Sequence, residues 1–203
     1  MALIDDRAGL VTAAKSLHDR GYAPGNTGNL SLRTDEGYII TPTNSCLGRL
    51  SPDDLSVIAS DGSLLGGLKP SKELPLHLEM YAAHADARAI VHLHSLGAVA
   101  ASCLSSMAPT SVFSNMTAYQ LLRVRNVVLA TYAEPGSAEL TRNVREAAQQ
   151  SASLLLANHG SLVARESLDA AVDAIEQFEQ TALLAVMLDG RDLRLLPTDG
   201  LSK

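Results

Sequence analysis

Residues 89–95 read Ala89-Ile90-Val91-His92-Leu93-His94-Ser95. The run is short, apolar and β-branched, which predicts a strand over 89–93. On a strand, residues two apart share a face. His92 and His94 then converge, and Leu93 turns the opposite way into the core. Imidazole pairs of this kind suit zinc and its first-row neighbours. With six histidines in 203 residues, one such pair also arises by chance.

Working outward, residues 5 to 20 space their apolar positions (Ala8, Val11, Ala14, Leu17) as a helix does, and Gly21 ends it. Turn formers then lead into a strand after Asn29. A turn at Asp35 to Gly37 introduces its hairpin partner through Ile40, and 55–59 is a further short strand. Pro75 fits the first turn of a helix running to about His84. Beyond the HxH strand come a helix of small residues over 96–104, a strand over 126–131 and a helix over 137–149 with Ser137 as cap. Strands over 154–157 and 162–164 flank the turn Asn158-His159-Gly160, and Ser167 caps the last helix. Helices and strands interleave without strict βαβ regularity. The expectation is an α/β fold with three layers, α/β/α, around a central mixed, mainly antiparallel sheet, in a single domain over 1–203.

The net charge is -6. An acidic chain lacks the basic surface that nonspecific nucleic-acid binding needs, yet a few local donors can still hold one phosphate. No run reaches the ~20 apolar residues of a membrane helix. The N-terminus has acids where a signal peptide would be basic. Cys46 and Cys103 form no CxxC pair and fit a reducing compartment, so a cytoplasmic protein is expected.

His159 is the natural third ligand, at a strand end followed by glycine. A catalytic zinc site wants about three protein ligands and an open position. Of the remaining histidines, His18 and His84 lie at predicted helix ends and are expected to be solvated, while His77, which could face the site, is expected rather to pack or cap. Three loops are rich in hydroxyl, amide and glycine residues: 25–29 (GNTGN), 41–45 (TPTNS) and 69–73 (KPSKE). Such loops make a neutral anion cradle, and the last also opens a helix whose N–H groups favour phosphate. Glu73 could be a general acid or base beside a metal. Acids are also common at helix N-termini for the dipole alone, so on the residues themselves both readings of Glu73 stay open.

Taken together, GNTGNLS, ITPTNSCLGRL, KPSKELPLH, HLHS and LANHG, followed by AIEQFEQTALLA, resemble the class II aldolase/adducin family over nearly the whole chain and in the right order. The resemblance implies one divalent ion per subunit on His92, His94 and His159, zinc first and manganese or cobalt as alternatives. It implies Glu73 as the acid/base and phosphate or substrate contacts at Thr27, Gly28, Asn29, Thr43, Ser45, Ser71 and Lys72. It matches a catalytic tyrosine, often reached from a neighbouring subunit, to Tyr119, and it implies a homotetramer. TPTNSCLGRL, KPSKELPLH and AEPGS look most like the family's 3-oxo-tetronate 4-phosphate decarboxylases. The implied reaction is metal-dependent loss of carbon dioxide through an enediolate, leaving dihydroxyacetone phosphate. An aldolase cleaving a sugar phosphate such as fuculose 1-phosphate is the alternative, and an adducin-like interaction domain is a further one. The chain departs from the family pattern at Asn44, where glycine is commoner, and at Leu96-Gly97. Asn tolerates a left-handed backbone, so the loop shape is expected to survive.

Overall fold

Residues 2–197 are described by a computed structural model of the chain, so the expected domain span of 1–203 extends beyond them at both ends. In chain order the elements are α1 (Ala2–Asp19), β1 (Asn29–Thr34), β2 (Gly37–Ile40), β3 (Ser56–Ala59), β4 (Leu64–Gly66), α2 (Leu74–Ala83), β5 (Ala89–Leu93), α3 (Leu96–Ser102), β6 (Val128–Ala130), α4 (Ala138–Ala148), β7 (Ser153–Leu156), β8 (Gly160–Arg165) and α5 (Leu168–Leu188). The helix ends follow local chemistry. Leu140 N–H donates to Ser137 Oγ at the start of α4, and Ala170 N–H to Ser167 Oγ at the start of α5. Gly21 closes α1 with φ +82°.

The strands form one eight-stranded sheet in the order β4-β3-β2-β1-β5-β8-β7-β6. β6 pairs with β7 in parallel; the other neighbours are antiparallel. The sheet is thus mixed and mainly antiparallel, as expected. Two cores cover its faces. On one, Leu30, Val91, Leu93 and Val163 pack with Leu10 and Leu17 of α1 and Ile175 and Phe178 of α5. On the other, Ile90, Leu154, Leu156 and Leu162 pack with Leu76 and Met80 of α2 and Leu140 and Val144 of α4. Strand β5 is apolar on both faces because helices lie on both sides of it.

Some features differ from expectation. β4 was not foreseen: Leu64 and Leu65 are 48% and 61% exposed, so no alternation of burial marks them. Gln120–Val124 forms one π-helical turn, ended by Arg125 at φ +64°. His18 and His84 are half-buried rather than solvated. Their ring nitrogens bond the carbonyls of Ala23 at 2.9 Å and Ser151 at 3.2 Å, because each helix end folds against neighbouring backbone. Asn44 adopts φ +56°, so the glycine-like loop shape is kept. No helix among the described residues is long and apolar enough to cross a membrane.

The β7–β8 turn presses on β5. A Cβ at Gly160 would stand 2.2 Å from the Leu93 carbonyl oxygen. Because that obstacle is backbone and cannot swing aside, Gly160→Ala should cost about 2–3 kcal/mol. Urea unfolding should show a lower midpoint at unchanged slope, and an unchanged midpoint would contradict the packing.

Candidate functional site

Three elements bring the candidate ligands together. β5 carries His92 and, one residue past its end, His94. Register sets His92 between Asn29 of β1 and Leu162 of β8. The turn from β7 to β8 is three residues long, with Asn158 at φ +53°, and it presents His159 beside β5. Glu73 precedes α2, where Ser71 Oγ accepts its backbone N–H at 3.2 Å.

Ligand atoms of Glu73, His92, His94 and His159 lie within 4.8 Å of one another. His94 Nε2 is 2.9 Å from His92 Nε2 and 3.1 Å from His159 Nε2. Glu73 Oε2 lies 3.4 Å from His92 Nε2, and Oε1 lies 3.2 Å from His159 Nε2. Glu73, His92 and His159 are buried and His94 is half-buried.

A cation fits this arrangement. His92 Nδ1–H donates to the Ser161 carbonyl at 2.8 Å, which leaves its Nε2 as a bare lone pair aimed at the cluster. Neighbouring lone pairs at such distances repel unless something positive lies among them. Glu73 Oε1 and His159 Nδ1 are buried with no hydrogen-bond partner, and an orphaned carboxylate oxygen calls for an ion or a proton. Nitrogens about 2.0–2.1 Å from a tetrahedral zinc stand about 3.3–3.4 Å apart, near the spacings found.

The electrostatics couple Glu73 to the histidines. Burial opposes charge on Glu73, but His92 and His159 outweigh it and hold the carboxyl well below the usual range. Burial also opposes charge on His92, yet Glu73 raises its pKa. Burial, then His92 and His159, push His94 down to about 3, and burial lowers His159 despite Glu73. The shifts at His94 and His159 favour the neutral imidazole that a metal ion needs, while His92 is shifted the other way by Glu73.

The segment leaving His94 is tied to α5. Glu179, buried within the apolar stripe of that helix, accepts hydrogen bonds from Ser95 Oγ at 2.6 Å and from the N–H groups of Gly97 at 2.6 Å and Ala98 at 2.9 Å. A Cβ at Gly97 would lie 2.9 Å from Glu179 Oε1, so glycine here is the condition for that contact. The departure from the family pattern at Gly97 thereby has a structural reason, and that at Leu96, an exposed side chain, has none.

The hydroxyl-rich loops adjoin one another. Pro42 bridges Pro70, Thr43 N–H donates to the Lys69 carbonyl at 3.0 Å, and Leu30 N–H donates to Thr41 Oγ1 at 3.2 Å. Within them, Thr27 and Ser45 donate their hydroxyls to the carbonyls of Pro24 and Pro42, each at 2.7 Å. Gly28 has φ +80° and a Cβ there would meet the His92 carbonyl at 3.0 Å. Lys72 is exposed, and its stem lies against Gly136. The Asn29 side chain is instead committed to Glu73 and His77, which leaves it one amide hydrogen for any phosphate. Tyr119 is 63% exposed and caps the π-helical turn.

The sequence reading missed a buried polar chain behind Glu73, made of Asn29, His77, Ser31 and Tyr81. His77 packs as expected, wholly buried, but on the side of the site, as a link in that chain. The signal was present as two polar stripes, Asn29 and Ser31 two apart on a strand, His77 and Tyr81 four apart on a helix.

Among known proteins, the family described as Class II Aldolase and Adducin N-terminal domain matches residues 8–186. The 3-oxo-tetronate 4-phosphate decarboxylase of Escherichia coli (strain K12) is 42% identical over 191 residues, covering 94% of this chain and 90% of that protein. The L-fuculose phosphate aldolase of Methanococcus maripaludis (strain C7) is 32% identical over 173 residues, covering 85% and 92%. The crystal structure of YgbL from Escherichia coli superposes with a TM-score of 0.93 at 39% identity, covering 98% of this chain and 96% of that one.

Purified protein should carry one divalent ion per chain by elemental analysis, and His94→Ala should weaken retention at least about tenfold. Stripping with a chelator should leave far-UV circular dichroism unchanged, since both cores lie outside the cluster. Stoichiometric metal in His94→Ala would remove that residue from the ligand set.

Proposed function

The chain belongs to the class II aldolase/adducin family, and from that premise we propose that it is a metal-dependent carbon-carbon lyase that decarboxylates a 3-oxo-tetronate 4-phosphate. The products are dihydroxyacetone phosphate and carbon dioxide. The observation that carries this reading is the convergence of one buried carboxylate and three imidazole Nε2 atoms on a single point, beside loops rich in N–H and hydroxyl groups. The 42% identity to a decarboxylase so named, spanning nearly the whole chain, supports this substrate over a fuculose phosphate. A non-catalytic adducin-like role is disfavoured, since such a module has no use for a complete donor set.

His92, His94 and His159 would hold the ion, with Glu73 in reach of it. When bound, a divalent ion supplies Lewis acidity that stabilises negative charge on the substrate's oxygens. Zinc is the expected occupant, because a triad of imidazoles suits it.

In the substrate the C3 ketone is β to the C1 carboxylate. The C1–C2 bond breaks, its electron pair passes into C2–C3, and carbon dioxide leaves. One proton must then reach C2. Glu73 is the group to bring it: it starts ionised, takes a proton from water, and delivers that proton to C2. Tyr119 is an alternative donor if a neighbouring subunit brings it to the site. The loops bearing Thr27, Gly28, Thr43, Ser45 and Ser71, with Lys72, would hold the phosphate and so aim the breaking bond. Asn29 would contribute through its remaining amide hydrogen. A homotetramer is part of this reading, supported by the exposed apolar side chains of Leu96, Tyr119, Leu122 and Met187. A cytoplasmic location is supported by the free thiols of Cys46 and Cys103.

Incubation with 3-oxo-tetronate 4-phosphate should release carbon dioxide and dihydroxyacetone phosphate in equal amounts, with no aldehyde. Aldehyde release from fuculose 1-phosphate without decarboxylation would establish the aldolase alternative instead. Glu73→Gln should lower kcat by about 10²–10⁴-fold with KM within a few-fold, and an unchanged kcat would take the proton-transfer role from Glu73.

A further inference from the structure

Behind the candidate site runs a line of buried hydrogen bonds whose direction is determined at every link. It starts at Glu73, 4% exposed, whose Oε2 accepts from Asn29 Nδ2–H. A carboxylate only accepts. The Asn29 amide presents Nδ2–H to Oε2 at 2.9 Å, which turns Asn29 Oδ1 away. That oxygen lies 2.5 Å from His77 Nε2, so Nε2 must carry the hydrogen. His77 is wholly buried, and burial pushes its pKa down to about 3. A neutral ring with Nε2–H has a bare Nδ1. Ser31 Oγ, 2.7 Å away, must donate to it. The Ser31 oxygen can then accept from Tyr81 O–H at 2.9 Å, a shorter contact than the 3.5 Å from that hydroxyl to the Arg88 carbonyl. Reversing any link would set two donors or two acceptors against each other in a buried site, which is costly.

We propose that His77 is a positioning residue for Glu73: held in its Nε2–H tautomer by Ser31 and Tyr81, it locks the Asn29 amide so that Nδ2–H pins Glu73 Oε2 and leaves Oε1 as the oxygen that carries the proton. Oε1 fits that role because it has no hydrogen-bond partner and faces the histidine cluster. Without the His77 donor, Asn29 Oδ1 loses its partner and the amide is free to flip. A flipped amide would put an oxygen against the carboxylate and turn Glu73 away. The kinetic part of this inference rests on the proposed role of Glu73. The tautomer does not.

Two kinds of measurement separate them. Long-range ¹H–¹⁵N correlation at neutral pH should find His77 as the neutral Nε2–H tautomer in the full-length protein. Protonation at Nδ1 instead would overturn the chain of donors, whatever reaction the protein performs. In steady-state kinetics, His77→Leu should lower kcat about tenfold or more, with KM within twofold and metal content unchanged. His77→Gln can place an amide N–H where Nε2–H stands and should recover most of kcat. Equal losses in the two variants, or kcat unchanged in His77→Leu, would overturn the positioning role. Should His77→Leu fail to fold, Ser31→Ala serves: it removes the hydroxyl that fixes the tautomer and should lower kcat about 3–10-fold at unchanged KM. Unchanged kcat in that variant would equally refute the proposal. A correct tautomer in a protein with no lyase activity would leave the hydrogen-bond chain standing and refute the functional reading alone.

Discussion

A buried carboxylate cannot remain ionised without compensation, and Glu73 is the constraint around which this molecule is arranged. Taking one carboxylate out of water costs several kcal/mol even after the protein relaxes. Here an Asn29 N–H answers one oxygen, and imidazole nitrogens of His92 and His159 approach both. Those partners arrive from β1, β5 and the β7–β8 turn, which are neighbours only because the sheet is ordered as it is. Removing any one of them would leave charge or lone pairs stranded in a largely buried site.

The scaffold provides the rigidity this demands. β5 is central, apolar on both faces, and paired on each edge by an antiparallel strand whose register is pinned by burial. A slip of one residue would carry His92 to the face occupied by Val91 and Leu93 and destroy the cluster. Gly160 lets β8 lie against the end of β5, and Glu179 anchors the chain just beyond His94. Neither residue belongs to the candidate ligand set, yet both hold the segments that carry it. The same logic runs behind Glu73, where the Asn29–His77 link joins a strand to a helix.

Much of this was readable from the chain. The apolar run with two histidines two apart made β5 a strand and its imidazoles convergent, because strand periodicity is a local property. Ser137 and Ser167 announced their helices, because a cap acts within one turn. β4 and the π-helical turn were not readable: exposed Leu64 and Leu65 carry no burial pattern, and a π-turn has no sequence period of its own. His77 looked like an ordinary helix histidine. Its partners are 46 and 48 residues away, and no local rule reports them.

The amino-acid sequence by itself determined most of the elements, the three imidazoles and the family to which their order belongs, since these depend on residue type and short-range spacing. What only the tertiary structure decided is how the groups meet. The side of Glu73 that is held, the commitment of Asn29 to that carboxylate, and the tautomers of His92 and His77 follow from distances between segments far apart in the chain. A hydrogen bond is a contact in space, and its direction is settled only when both of its partners are in place.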